Sequence, residues 1–260
     1  MRIAVSAMLT VMLCAGAAAA DTAAGPTPLQ LYQAGKYAAA IQQGTASNAA
    51  SGYAVAARAE LAVAQMRDKP CLECLKTAEG YARQSIALDP TLADGHVYLA
   101  AALGYESRII GIMAAKFKGY AGEAKDNLDV ALAHHPDDPW VLAALGGWHF
   151  AVVNGGGATM ANWMYGATVK KGQDYYTKAF AADPPGIVIR YLYALSLSAY
   201  DREAYTKEIE AALAFAATGQ PRTAYEMFMQ GRAKTLLAAF KSGDWKAYNA
   251  LVKRYQGYPQ

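Results

Sequence analysis

Of the residues able to do chemistry, the cysteines and histidines come first. Cys71-Leu72-Glu73-Cys74 has the spacing of a local disulfide or a redox pair. Haem attachment would need histidine after the second cysteine, and Leu75 stands there. Two cysteines cannot build a four-cysteine zinc site. A redox pair would want a βαβ setting that the pattern does not offer, so a Cys71–Cys74 disulfide is the reading. The histidines do not converge by spacing. His134 and His135 close a helix, where the dipole favours a cation; His96 is placed at a hairpin surface; His149, after Trp148, reads as a buried, hydrogen-bonded imidazole. Nucleophile elbow, phosphate loop and HExxH patterns are missing from the sequence. Gly155-Gly156-Gly157 follows no strand and is taken as a turn. Binding, without cofactor or metal, is therefore expected rather than catalysis.

Candidate binding residues sit in two apolar stretches. Pro139 to Val169 holds no Asp, Glu, Lys or Arg, yet carries Trp140, Trp148 and Trp163. An uncharged helix is normally a buried one, which is one reading of this run. The other is that Trp148, His149, Met160, Trp163, Met164 and Tyr165 line an apolar groove or tunnel, since methionine and aromatic side chains suit an irregular apolar ligand or a partner helix. Tyr105, Ile109, Ile112, Met113 and Phe117 make a second stretch of the same kind. If the two meet on one face they form one surface. Arg190, alone among apolar residues, could hold an acidic group or pair within the chain, and Tyr193 beside it could bind or pack.

These stretches are positioned by an internal repeat. Ala78, Ala82, Ser85 and Pro90 recur in register as Ala124, Leu128, Ala131 and Pro136, then as Gly172, Tyr176, Ala179 and Pro184. Each proline stops a helix. Nine residues later a large residue precedes a small one, at Leu99-Ala100, Leu145-Gly146 and Tyr193-Ala194, so each unit reads as a helical hairpin with a close approach.

The pattern resembles the tetratricopeptide repeat over about residues 29 to 218, with an early unit at Gly35-Lys36-Tyr37 and Ala40-Ile41. The resemblance implies an all-α solenoid of antiparallel helix pairs whose first helices, bearing Tyr98, Tyr105, Tyr191 and Tyr193, line a concave binding face. Helices from about Thr223 to Phe240 and Trp245 to Tyr255 are expected to cap it. Successive prolines lie 46 and 48 residues apart, where the family's repeat is about 34 long. Two hairpins therefore carry insertions, near Tyr105 to Gly119 and Asn154 to Gly166, and those are where specific function is expected.

Residues 1–20, with Arg2 before an uncharged stretch ending Ala18-Ala19-Ala20, read as a secretory signal peptide, and Cys14 as part of it. Residues 21–260 are then one domain, exported to the periplasm. Its 23 basic and 21 acidic residues leave out any long run of either sign, so nucleic acid and an anionic membrane surface are not favoured partners. The chain is not expected to be an integral membrane protein. In general plan it is similar to the tetratricopeptide-type accessory components of TRAP transporters. That likeness implies a scaffold or adaptor for a solute-binding protein or envelope transport component. The alternative is a carrier sheltering a lipid, hopanoid or sterol. A continuous apolar cavity of several hundred cubic ångströms would favour the carrier; a filled core with an open groove of mixed polarity would favour the scaffold.

Overall fold

The computed structural model describes residues 25–259, so the signal-peptide reading of residues 1–20 lies outside the described residues. Fourteen α-helices make up the described chain. In order they are α1 (Pro28–Gln33), α2 (Tyr37–Ala46), α3 (Ala50–Met66), α4 (Leu72–Leu88), α5 (Ala93–Ile110), α6 (Ile112–Phe117) and α7 (Tyr120–His134). There follow α8 (Pro139–Gly156), α9 (Ala158–Tyr165), α10 (Val169–Ala182), α11 (Ile187–Asp201), α12 (Thr206–Thr218), α13 (Ala224–Ser242) and α14 (Trp245–Tyr255). Consecutive helices pack as pairs, α3 with α4, α5 with α7, α8 with α10 and α11 with α12. The fold is all-α and of tetratricopeptide-repeat type.

The repeating positions are the buried faces of the second helices. Ala78, Ala82 and Ser85 on α4, Ala124, Leu128 and Ala131 on α7, and Tyr176 and Ala179 on α10 are all sealed from solvent. Small residues there set the helix spacing. A Cβ on Gly146 would fall 2.7 Å from the Tyr176 ring and 3.1 Å from the Gly172 carbonyl, so α8 and α10 approach on a pair of glycines. Ser85 adds a tie instead: its hydroxyl donates to the Ala50 carbonyl at 2.8 Å, fastening α4 to the start of α3. Cap residues fix the starts. Asp138 accepts from the amides of Trp140 and Val141, with Pro139 in the first turn of α8, and Thr168 and Thr223 cap α10 and α13.

Three expectations change. Gly155 and Gly156 do not turn the chain; α8 runs through them and only Gly157 breaks it. Gly155 serves packing instead, because Ile112 Cδ1 lies 2.5 Å from where its Cβ would stand. His96 is buried, not superficial, with its ring nitrogens on the Asn127 side-chain oxygen at 2.7 Å and the Pro90 carbonyl at 2.9 Å. The C-terminal helices do more than cap the last pair. The first helices lie side by side, α3 on α5, α5 on α8, α8 on α11 and α11 on α13, and α13 also reaches α1. The layer that was expected to present an open concave face is thereby closed.

The closing contacts are polar and aromatic. Gln65 of α3 accepts from the hydroxyls of Tyr105 on α5 and Tyr225 on α13, at 2.9 and 3.0 Å. The Arg232 guanidinium of α13 donates to the Gln65 carbonyl. Arg108 donates to the Gln256 carbonyl at 2.8 Å, and Arg254 pairs with Asp68 at 2.7 Å. Arg58 lies over the rings of Tyr32 and Trp140, joining α1, α3 and α8. Tyr98 and Tyr191, expected on the binding face, are buried.

Candidate functional site

Both insertions are built alike. A glycine at positive φ precedes each short helix, Gly111 at φ 86°, ψ 153° and Gly157 at φ 75°, ψ 152°. A left-handed glycine ends each, Gly119 at φ 72° and Gly166 at φ 63°. Backbone of the first kind is essentially confined to glycine, so each corner needs a glycine at that position. Each helix then turns one small side toward the body. Ala115 of α6 and Ala161 of α9 are buried in the cluster that holds Tyr120, Trp148 and Val153.

What remains points outward. Phe117 is 87% exposed, Trp163 80% and Met113 63%, and Ile112, Met160 and Met164 are exposed with them. Ile112, the first residue of α6, lies against Gly155 in the last turn of α8, so the first insertion touches the base of the second. These six are the sequence-derived candidates that the fold leaves exposed, three on each insertion. Large apolar side chains grouped this way mark contact surfaces, whereas scattered ones do not.

Next to α9 an open cleft of about 290 Å³ is lined by Lys125, His149, Tyr165, Lys171, Asp174, Tyr175 and Lys178. His149 is buried, its ring stacked 5.6 Å from Tyr175. Burial, reinforced by Lys171 and Lys125, pushes its pKa down to about 4. The Thr168 amide donates to Nδ1 at 3.3 Å, which leaves the proton of the neutral ring on Nε2. Lys171 donates to the Gly166 carbonyl at 3.0 Å and so clamps the end of α9. Trp148 is a tie rather than a lining residue, with its indole N–H on the Ala121 carbonyl at 2.9 Å.

The other candidates lie elsewhere. Tyr105 and Ile109 border a gap of about 30 Å³ beside Arg232, Tyr255 and the Cys71–Cys74 disulfide. That volume holds about one water molecule, and an apolar ligand pocket needs roughly 300 Å³ or more. Neither it nor the charged cleft is the apolar tunnel of the carrier reading. Arg190 holds no carboxylate among the described residues; its guanidinium is sandwiched between Phe180 at 4.3 Å and Phe215 at 4.0 Å, and it donates to the Pro184 carbonyl. Tyr193 is packed among Phe150, Tyr176 and Phe180. Sequence reasoning missed Lys116 and Lys118, both exposed on the first insertion, although they are the charges nearest its apolar residues. It also missed Arg222, which bridges Asp183 bidentately at 2.9 and 2.8 Å and Glu226 at 2.8 Å.

Among the described residues no helix is long and apolar enough to cross a membrane. The family model described as RMD1-3, regulator of microtubule dynamics protein 1-3, matches residues 38–241, from the second residue of α2 almost to the end of α13. No curated protein matches the chain.

Proposed function

We propose that this chain, which belongs to the RMD1-3 family of regulators of microtubule dynamics, is a non-catalytic helical-repeat scaffold that makes its contacts through the insertion edge of α6 and α9. The observation that carries this is the contrast between the two surfaces. The inner helix layer is closed by its own side chains, while six large apolar residues stand out on the insertions. A filled core with an open cleft of mixed polarity favours a scaffold over a carrier of small apolar molecules.

The family's description makes a microtubule-related protein one class of partner to test. The export reading of residues 1–20 makes an envelope component the other, and bonded Cys71 and Cys74 support an oxidising compartment. A narrower role, assisting a solute-binding protein of a transport system, has only the general plan of the sequence behind it.

A photo-crosslinking amino acid placed at Phe117, Trp163 or Tyr258 in the native host tests the surface. Adducts from the two insertion positions, with none from Tyr258 at the mouth of the inner gap, are expected. Adducts from Tyr258 alone would return function to the inner face and sink the proposal.

A further inference from the structure

The insertion edge differs from a peptide groove in shape and in charge. Phe117 and Trp163 project with four-fifths or more of their surface free, so neither forms the wall of a groove. Methionine side chains adapt their shape, and aromatic ones bring large apolar area with them. They suit a medium that yields around them.

The charge around them has one sign. From Ser107 to Gly122 the chain carries no carboxylate, and with Arg108 turned inward to the Gln256 carbonyl, Lys116 and Lys118 are the charges this stretch leaves at the edge; from Pro139 to Val169 it carries no charge. Carboxylates bordering the edge are engaged. Glu106 is buried beneath the Tyr120 hydroxyl, Glu123 bridges Arg83 at 2.6 Å, Asp129 binds Lys125 at 2.6 Å and Asp174 binds Lys170 at 3.2 Å. Lys116, Lys118 and Lys171 make no ion pair among the described residues. Asp126 on α7 is the exposed acid left nearby. The chain-wide balance, which argued against an anionic membrane, averages this local surplus away.

The geometry points to an anionic lipid surface as the occupant of the insertion edge. Met113, Phe117, Met160 and Trp163 enter the boundary between headgroups and acyl chains, and Lys116, Lys118 and Lys171 meet the headgroup phosphates. Tryptophan and snorkelling lysine are the residue types that settle at that boundary. With helices of six and eight residues the protein lies on the bilayer and does not span it. This inference depends on the insertion edge being the contact surface, and it names what is contacted.

The test uses the full chain with vesicles of phosphatidylcholine, alone or mixed with phosphatidylglycerol, whose acyl chains are brominated near the headgroup. Residues 1–24 contain no tryptophan, so quenching reports on the folded body. Quenching by anionic vesicles that vanishes in Trp163→Phe is expected. Phe117→Ser with Trp163→Ser should weaken vesicle binding at least ~10-fold by removing two exposed aromatics, and far-ultraviolet dichroism should show the fold retained. Lys116→Glu with Lys118→Glu should abolish the preference for anionic vesicles. Quenching that persists in Trp163→Phe would overturn the inference. So would equal affinity of wild type and the serine variant, or a concentration-dependent dimer that the serine variant abolishes. Crosslinks from Phe117 and Trp163 to protein, without vesicle binding, would leave the scaffold reading standing and remove the lipid. Failure of both measurements would remove both.

Discussion

Glu106 shows how far one side chain beneath the insertion edge departs from its solution behaviour. Its carboxyl is buried, accepts from Tyr120 Oη at 3.0 Å through Oε2, and has no partner for Oε1 among the described residues. Burial is the main cause that raises its pKa to about 7, and neighbouring Glu79 adds to it. The folded state therefore keeps a proton that the unfolded chain releases at ordinary carboxylate pH. Its contribution is full at pH below about 4.5 and is lost as pH rises toward 7. His149, held down at about 4, acts oppositely, because stability is lost as pH falls below the ordinary imidazole range. Glu106→Gln isolates the first effect. Its melting temperature relative to wild type should climb between pH 4.5 and 7, with a gain above neutrality on the order of 1–3 kcal/mol. A constant difference across that range, measured by calorimetry, would refute the assignment. Little of this was legible in the sequence. Glu106 and Tyr120 meet only because α6 returns the chain, and Arg190 finds Phe180 and Phe215 from two other helices. Trp148 and His149 were grouped with Trp163 because an uncharged helix has no polar face to say which side looks outward.

At the scale of elements, the buried face and the end of α4, α7 and α10 were legible. Their buried positions recur before a proline, and small residues at contact points leave one packing distance. The insertions were legible as surplus length but not as a repeated device, because Gly111 and Gly157 look like any loop glycine until their dihedral angles are known. Two separate insertions have the same corner, short helix and left-handed exit. The corner should then be the sensitive point. Gly111→Ala or Gly157→Ala should each cost about 1–3 kcal/mol of local stability, because a Cβ is strained at that φ and ψ. Open space surrounds both positions, so strain and not collision is the cause. Hydrogen exchange should speed up in α6 or α9 respectively while α4 and α10 stay protected. Unchanged protection in the altered helix would mean that Ala115 and Ala161 hold these elements without the corner.

The whole molecule is closed by contacts that no local pattern encodes. Arg108 to Gln256, Gln65 to Tyr225 and Asp68 to Arg254 join residues 148, 160 and 186 positions apart. The last helix pair read as a terminal cap because caps are what solenoids require; the sequence cannot show that the inner layer turns far enough for α13 to meet α1. The family match ends at residue 241, before α14, yet α14 is firmly seated. Tyr248 is wholly buried with its hydroxyl 2.6 Å from Ser198 Oγ, and Val252 is buried beside it. Removing residues 244–260 should therefore leave the helix pairs folded and uncover the inner layer. A loss of roughly 3–5 kcal/mol is expected for withdrawing a buried tyrosine and valine together with their polar ties. Helix content should fall by no more than the eleven residues of α14. An apolar dye should begin to bind at Tyr105 and Tyr191, whereas Phe117→Ser with Trp163→Ser in the same truncated chain should not change that signal. If the truncated chain binds no more dye than the full one and melts at the same temperature, α14 does not close the inner face. The insertion edge would then lose its claim to be the surface left open for binding.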